Sequence, residues 1–327
     1  MKSFLDTHNI PYSANQDLKK VTWIHRGGVA TWYIVPNTID QLSKVYMQCK
    51  RQGILPIVVG HTSNMYFKNT CNVDVVISTK KIQNISIDGD EVVAECGAHI
   101  KKIAKACVVA GLRGLEGLVN LPGTAAAAVI NNAGCYGCLA AEYLVKCEVM
   151  NPDGTVGVLL KNDLCFSHRS SIFKRKEKDA CILRVFWKLP TVERTLLEKK
   201  AEEVTFNRMR TQEGPANNLG STFCDIRPNR FYKTIIRIAS LANKCYQLFD
   251  KRSGTVASIV AQNRINRYIR NMLLYLTGNS NLKKYVSQYN IICFIWRDEY
   301  ADEAFKQYNE FVRRISTSST LEIEVFE

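Results

Sequence analysis

Hydrophobic positions recur along the chain with two periods, and the switches between them mark out strands and helices. Residues 1–20 read as a short amphipathic helix and a polar connector, and residues 21–35 as two strands about an Arg26-Gly27-Gly28 turn. Pro36-Asn37-Thr38 then opens a helix over residues 39–52, with Leu42, Val45, Tyr46 and Cys49 at helical spacing. A short buried strand over 55–59 runs into Gly60. Strands are predicted over 73–78, 85–87 and 91–96, with turns at Lys80-Lys81 and Asp88-Gly89-Asp90. A helix over 99–110 closes at Gly111. A hairpin over 146–160 turns at Asn151-Pro152-Asp153-Gly154, and a strand over 181–189 and a charged helix over 196–209 follow. Helical periodicity from 227 to 289 predicts two or three helices. After them come a strand over 290–296, a helix over 301–315 and a last strand over 321–325. Mixed in this way, the elements make an α+β chain.

Two stretches depart from that pattern. The run Leu121-Pro122-Gly123-Thr124-Ala125-Ala126-Ala127-Ala128-Val129-Ile130-Asn131-Asn132-Ala133-Gly134-Cys135-Tyr136-Gly137 has almost no charge and no bulky side chain in its first half. It reads either as a tightly packed helix or turn, or as main chain that a ligand approaches closely. The second stretch, Gly60-His61-Thr62-Ser63-Asn64, sits where a strand runs into a loop. Successive N–H groups in such a turn form a concave anion site, with Ser63 and Asn64 as further donors; an ordinary polar turn is the alternative.

At 327 residues with 46% hydrophobic content, the chain can hold two or three domains. No apolar run reaches membrane-spanning length and the first residues lead into no signal-peptide core, so a cytoplasmic protein with no membrane partner is expected. The twelve cysteines are scattered over apolar positions, as suits free thiols in a reducing compartment. Cys135 and Cys138 form a close pair with no second pair to complete a zinc site, so no metal is expected. The net charge of +14 raises the question of nucleic acid. The basic residues are spread out, however, apart from Lys174-Arg175-Lys176-Glu177-Lys178, and no aromatic–basic platform accompanies them. No nucleic-acid partner is expected, and a basic surface also suits a pyrophosphate or an anionic nucleotide sugar.

Four segments in order carry a family resemblance. They are Gly60 to Asn64, Gly111-Leu112-Arg113-Gly114-Leu115-Glu116-Gly117, the small-residue run, and Phe166-Ser167-His168-Arg169-Ser170-Ser171-Ile172-Phe173-Lys174. Together they resemble the GxGSN, GLxGLE, IPGxxGGAxxxNAGAYG and YRxSxFK segments of the UDP-N-acetylenolpyruvoylglucosamine reductases, the MurB family. The resemblance implies a two-part FAD-binding fold of the vanillyl-alcohol-oxidase/MurB type, with a third α/β substrate-binding domain. The corresponding boundaries are 1–72, 73–208 and 209–327, the final strand returning Glu322 to the cleft. It also implies a monomer that uses FAD, with NADPH as co-substrate, to reduce a UDP-sugar enolpyruvyl ether in peptidoglycan precursor synthesis.

By the same resemblance, Gly60, His61, Thr62, Ser63, Asn64, Gly123, Thr124, Ala126, Ala127, Asn132, Gly134, Tyr136 and Gly137 bind the cofactor. Arg169 and Glu322 would stabilise developing charge and Ser221 would donate the proton. Glu324 competes with Glu322, because alternate residues of one strand share a face. Several positions depart from the family pattern: Thr62 and Ala126-Ala127 replace glycines, His168 replaces a tyrosine, and Cys224-Asp225-Ile226 replace Lys-Asn-Pro. At Thr62, a need for positive φ would strain a β-branched residue, and His61 beside it reads as a turn histidine rather than a flavin attachment point. The departures leave two alternatives, a MurB-like FAD oxidoreductase with another substrate and a non-catalytic descendant.

Overall fold

The computed structural model describes residues 1–249 and 255–327, except for the side chains of residues 240, 242–249 and 255–261. The chain divides into two compact units. One comprises Met1–Thr22, Gly27–Ser63 and Thr70–Thr205; the other comprises Trp23–Arg26, Asn64–Asn69 and Phe206–Glu327.

The first unit opens with α1 (Lys2–Thr7), β1 (Tyr12–Asp17), β2 (Val29–Ile34), α2 (Ile39–Arg51) and β3 (Ile57–Val59). After β4 (Met65–Phe67), which belongs to the second unit, β5 (Asn72–Ser78) completes a sheet of order β1-β2-β5-β3. The expected 72/73 boundary would assign β5 to the next part, yet its ladder runs parallel to β2 and β3. Thr38 caps α2 by accepting from Gln41 N at 3.2 Å, and Leu42, Val45, Tyr46 and Cys49 are the buried stripe. Residues 21–35 form one strand rather than two. Trp23 and Ile24 are apolar because they enter the core of the second unit as a loop, where Ile24 is fully buried. The polar connector contains strand β1, whose Ser13, Ala14 and Asn15 are exposed at the sheet edge.

The unit continues with β6 (Ile85–Asp88), β7 (Glu91–Glu95), α3 (Ile100–Val109), α4 (Ala125–Ile130), β8 (Gly134–Cys135), β9 (Cys138–Leu139), β10 (Leu144–Met150), β11 (Val156–Leu160) and β12 (Cys181–Lys188). An antiparallel sheet of order β11-β10-β12-β7-β6 packs beneath α3 and α4, with Val92, Ala94, Ile103, Cys107, Val129 and Trp187 in its core. Trp187 satisfies its indole N–H at Ala140 O, 2.8 Å away. Helix α5 (Arg194–Thr211) adds Leu197 and Val204 to the same core.

The second unit contains β13 (Phe223–Pro228), α6 (Arg230–Phe249), α7 (Thr255–Leu276), α8 (Ala301–Ile315), β14 (Ser316–Leu321) and β15 (Glu324–Phe326). Helix α8 buries Ala304, Phe305, Tyr308, Phe311, Val312 and Ile315 at helical spacing, against Phe294 and Trp296. Helices α6 and α7 fall where two or three were predicted, and residues 250–254 of that stretch lie outside the described residues. The strand expected over 290–296 is absent: Phe294 and Ile295 make only isolated bridges, to Val286 and Asn218. Cys293, Phe294, Ile295 and Trp296 are all buried, so this segment is threaded through the core and has no solvent face to alternate with. The last strand is broken too. β14 pairs antiparallel with β13 and β15 pairs parallel with β4, with Glu322 and Ile323 between them.

Eleven cysteines are free, eight of them buried; the side chain of Cys245 is outside the described set. No helix among the described residues is long and apolar enough to cross a membrane.

Candidate cofactor and catalytic sites

Strand β3 delivers the chain into the Gly60–Ser63 turn. Thr62 takes φ +55°, a left-handed conformation that costs a β-branched residue about 1–2 kcal/mol, and its hydroxyl donates to His61 O at 2.7 Å. The N–H groups of Gly60, His61 and Ser63 meet no protein acceptor among the described residues. A second wall stands against the turn. A Cβ on Gly123, at φ +120°, would lie 3.5 Å from Ser63 Oγ, and one on Gly60 would lie 2.7 Å from Thr124 Oγ1. Gly60 is therefore bare because Thr124 packs against it.

The packed-helix reading of the small-residue run holds over its first half. Ala125, Ala128 and Val129 are buried in α4, which is a packed helix. Its first amides are already used: Ala125 N donates to Ala98 O at 2.8 Å, Ala126 N to Cys96 O at 3.1 Å, and Ala127 N to Thr124 Oγ1 at 3.4 Å. An anion bound here would rest on the 60–63 turn rather than on the start of α4. Farther along, Gly137 (φ +82°) has open space where a Cβ would sit.

Beside the turn, the His61 ring lies 3.8 Å from the ring of His99, centroid to centroid. Burial, reinforced by His99 and by Lys101, Lys80 and Lys102, pushes His61 down to about 4. His99 is lowered by burial and by Lys102 and Lys101. The pair is thus uncharged at neutral pH within a field of lysines, which leaves their charge available to an anion. Nothing in the sequence marked His99, a residue at the start of a helix.

The C-terminal end of α4 holds the next group. Asn132, at φ +40° and buried, donates from Nδ2 to Ser167 O at 2.9 Å, and its buried Oδ1 has no hydrogen-bond partner among the described residues. Ser171 Oγ donates to Ile130 O at 2.7 Å. These two bonds fix the 167–171 turn, in which Ser167 and Ser170 exchange N–H···O bonds of 3.1 and 3.2 Å. Arg169, at φ +54°, is carried at the tip, with Nη1 3.7 Å from where a Cβ on Gly134 would be. Next to it the exposed His168 stands where the resemblance places tyrosine. Tyr136 and Gly137, at φ +48° and +82°, turn the β8–β9 hairpin and set Cys135 opposite Cys138. Cys138 Sγ accepts from Gly117 N at 3.2 Å. No group of three or more His, Cys, Asp or Glu among the described residues is placed to hold a metal.

In the second unit, Ser221 precedes β13 and Glu322 follows β14, at the same end of that antiparallel pair. Phe223 is paired with Leu321, and Glu322 N donates to Thr222 O at 2.9 Å. Ser221 Oγ receives Asn290 Nδ2 at 3.1 Å. Asn64, expected on the phosphate turn, lies in this unit: its Nδ2 donates to Glu322 O at 3.2 Å, and its carbonyl accepts from Glu324 N at 2.9 Å. Glu322 occupies the break between β14 and β15 and Glu324 begins the strand paired with β4, so the two do not alternate along one strand. Cys224, which stands where a lysine was expected, is pushed up to about 11 by burial, then by Glu322 and Asp225. This position therefore carries an uncharged thiol.

The first unit has features that fit a dinucleotide: the N–H groups of Gly60, His61 and Ser63 and the Oδ1 of Asn132, none with a partner among the described residues, a facing glycine wall and an arginine on a fixed turn. Residues 30–159 match the FAD binding domain family, which places the chain among flavin-dependent oxidoreductases. The chain is 31% identical over 240 residues to the UDP-N-acetylenolpyruvoylglucosamine reductase of Caldicellulosiruptor bescii, covering 73% of this chain and 76% of that one. To the Enterococcus faecalis enzyme of the same name it is 28% identical over 263 residues, covering 79% and 86%. It belongs to the UDP-N-acetylenolpyruvoylglucosamine reductase family. The fold agrees with the crystal structure of the Thermus caldophilus reductase, with TM-score 0.65, 18% identity and coverage of 97% and 99%.

Proposed function

We propose that this chain, in the cytoplasm, reduces UDP-N-acetylglucosamine enolpyruvate to UDP-N-acetylmuramate at the expense of NADPH, a step in peptidoglycan precursor synthesis. Family membership supports the reading. The observation that supports it most directly is the 2.9 Å bond from Glu322 N to Thr222 O, which joins Glu322 to the residue next to Ser221 across about a hundred positions of sequence.

The 60–63 turn, Gly123 and the Asn132–Gly137 segment would hold FAD, which when bound supplies the two-electron transfer from NADPH to the enolpyruvyl group. The protein has to manage charge and one proton. Arg169 offers a planar guanidinium to the carboxylate of the enolpyruvyl group as negative charge spreads over it, and Glu322 assists from the other catalytic segment. Ser221 gives the proton that completes the reduced side chain.

The test uses FAD-loaded protein. NADPH should bleach the visible flavin absorbance, and the enolpyruvyl nucleotide should restore it. Ser221→Ala should still bleach but recover the colour roughly 100-fold or more slowly. A flavin that NADPH bleaches but only air restores would reject this substrate. That outcome would favour a second reading, a related flavin oxidoreductase with a less anionic substrate. Cys224 motivates it, because burial and two carboxylates keep this thiol neutral where a cation would be expected.

A further inference from the structure

A serine hydroxyl can point its hydrogen in three staggered directions, and only one of them serves a proton donor. Something must choose. Asn290 Nδ2 lies 3.1 Å from Ser221 Oγ, and the direction of this bond is determined by the rest of the asparagine. Its Oδ1 accepts from Ile292 N at 3.1 Å, its N–H donates to Ser287 Oγ at 3.2 Å, and its carbonyl accepts from Cys293 N at 3.0 Å. With the amide oxygen committed to Ile292, only the NH₂ end can face Ser221. The frame around it is closed as well. Thr222 N donates to Ile292 O at 2.7 Å, Phe294 N donates to Thr222 Oγ1 at 3.2 Å, and Thr222 and Ser287 are buried. Among the described residues, nothing accepts the Ser221 proton.

We infer that Asn290 is a positioning residue for proton transfer: it makes Ser221 Oγ an acceptor on the protein side, so that the hydroxyl hydrogen is directed outward at the substrate. The inference rests on Ser221 being the proton donor. In that step the Ser221 O–H bond breaks, and its hydrogen forms a C–H bond at the enolate-like carbon of the substrate. The bonding pair stays on Oγ, and solvent later returns a proton to it. The Asn290 N–H then faces an alkoxide, a charge-assisted bond about twice as strong as the neutral one. Asn290 thus both aims the proton and stabilises the oxygen it leaves.

The decisive variant is Asn290→Asp. It is nearly the same size and keeps an oxygen for Ile292 N–H, but it turns a second oxygen towards Ser221. That carboxylate would accept the serine hydrogen and point it inward. In FAD-loaded protein, flavin reduction by NADPH should stay within about twofold of wild type, while reoxidation by the enolpyruvyl nucleotide slows roughly 10- to 100-fold. The solvent deuterium isotope effect on reoxidation should rise, and the rate should recover towards acid pH as the new carboxylate is protonated. In flavin-free protein, the Asn290 side-chain amide resonances should be shifted and protected from exchange, and Ser221→Ala should abolish both. Unchanged reoxidation in Asn290→Asp, or equal loss in both half-reactions, would overturn the inference. Unchanged reoxidation in Ser221→Ala would instead remove the role of Ser221 itself.

Discussion

His61 is held uncharged by its surroundings, and that has a consequence for stability. Its proton affinity falls from an ordinary 6.5 to about 4 on folding, because burial and the nearby His99 and lysines disfavour the cation. As pH drops below about 6.5 the unfolded chain takes up this proton, while the native chain refuses it until about 4. The stability it contributes is therefore complete above about 6.5 and is lost between 6.5 and 4. Thermal melts across that window should fall more steeply for wild type than for His61→Asn, and parallel curves would contradict the burial of the ring. Of the proposed site residues, Thr62, Asn132 and Arg169 were singled out by family-like segments. Their shared left-handed backbone was legible only as a question at Thr62. His99 and Asn290 carried no local signal, since each matters through a neighbour that the fold supplies.

Elements built on local periodicity formed where the pattern placed them: α2 with its Thr38 cap, α3, the β10–β11 hairpin, β12 and α8. Two of the misreadings came from burial without a regular partner. Trp23 and Ile24 look like part of a strand, and residues 290–296 look like a whole one, because both are apolar; each is a core-threading loop. At the other extreme, β1 is too polar to announce itself as an edge strand. Gly97 shows how closely elements can meet without any sequence motif. A Cβ there would lie 1.8 Å from Thr79 O and 2.7 Å from Ile82 O, both main-chain atoms. Gly97→Ala should destabilise the protein by about 3 kcal/mol or more, at the upper end for overpacking, as measured by denaturant unfolding. A loss under about 1 kcal/mol would show that the 79–82 turn yields.

For the molecule as a whole, cysteine burial offers a direct check on both cores at once. Cys165 is exposed, and Cys135 and Cys224 are half-buried. Cys49 and Cys138 are pushed up to about 11, and Cys107, Cys147, Cys181 and Cys293 to about 12, mainly by desolvation. Among the described cysteines, Cys165 should react fastest with a thiol reagent at neutral pH, and Cys135 and Cys224 slowly. The buried eight should react only as the protein unfolds, in step with its loss of ellipticity; early labelling of Cys147 or Cys293 would mean that a core opens on its own. The sequence alone determined the local parts of this protein: the periodic helices and strands, the 60–63 turn, the small-residue run and the arginine turn, all set by interactions within a few residues. Tertiary structure alone decided that segments 23–26 and 64–69 leave the first unit for the second. It also placed Glu322 at a strand break beside Thr222 and Asn290 against Ser221. Those pairings join residues tens to hundreds of positions apart, and their stability comes from desolvation and hydrogen bonds that exist only once both partners are folded.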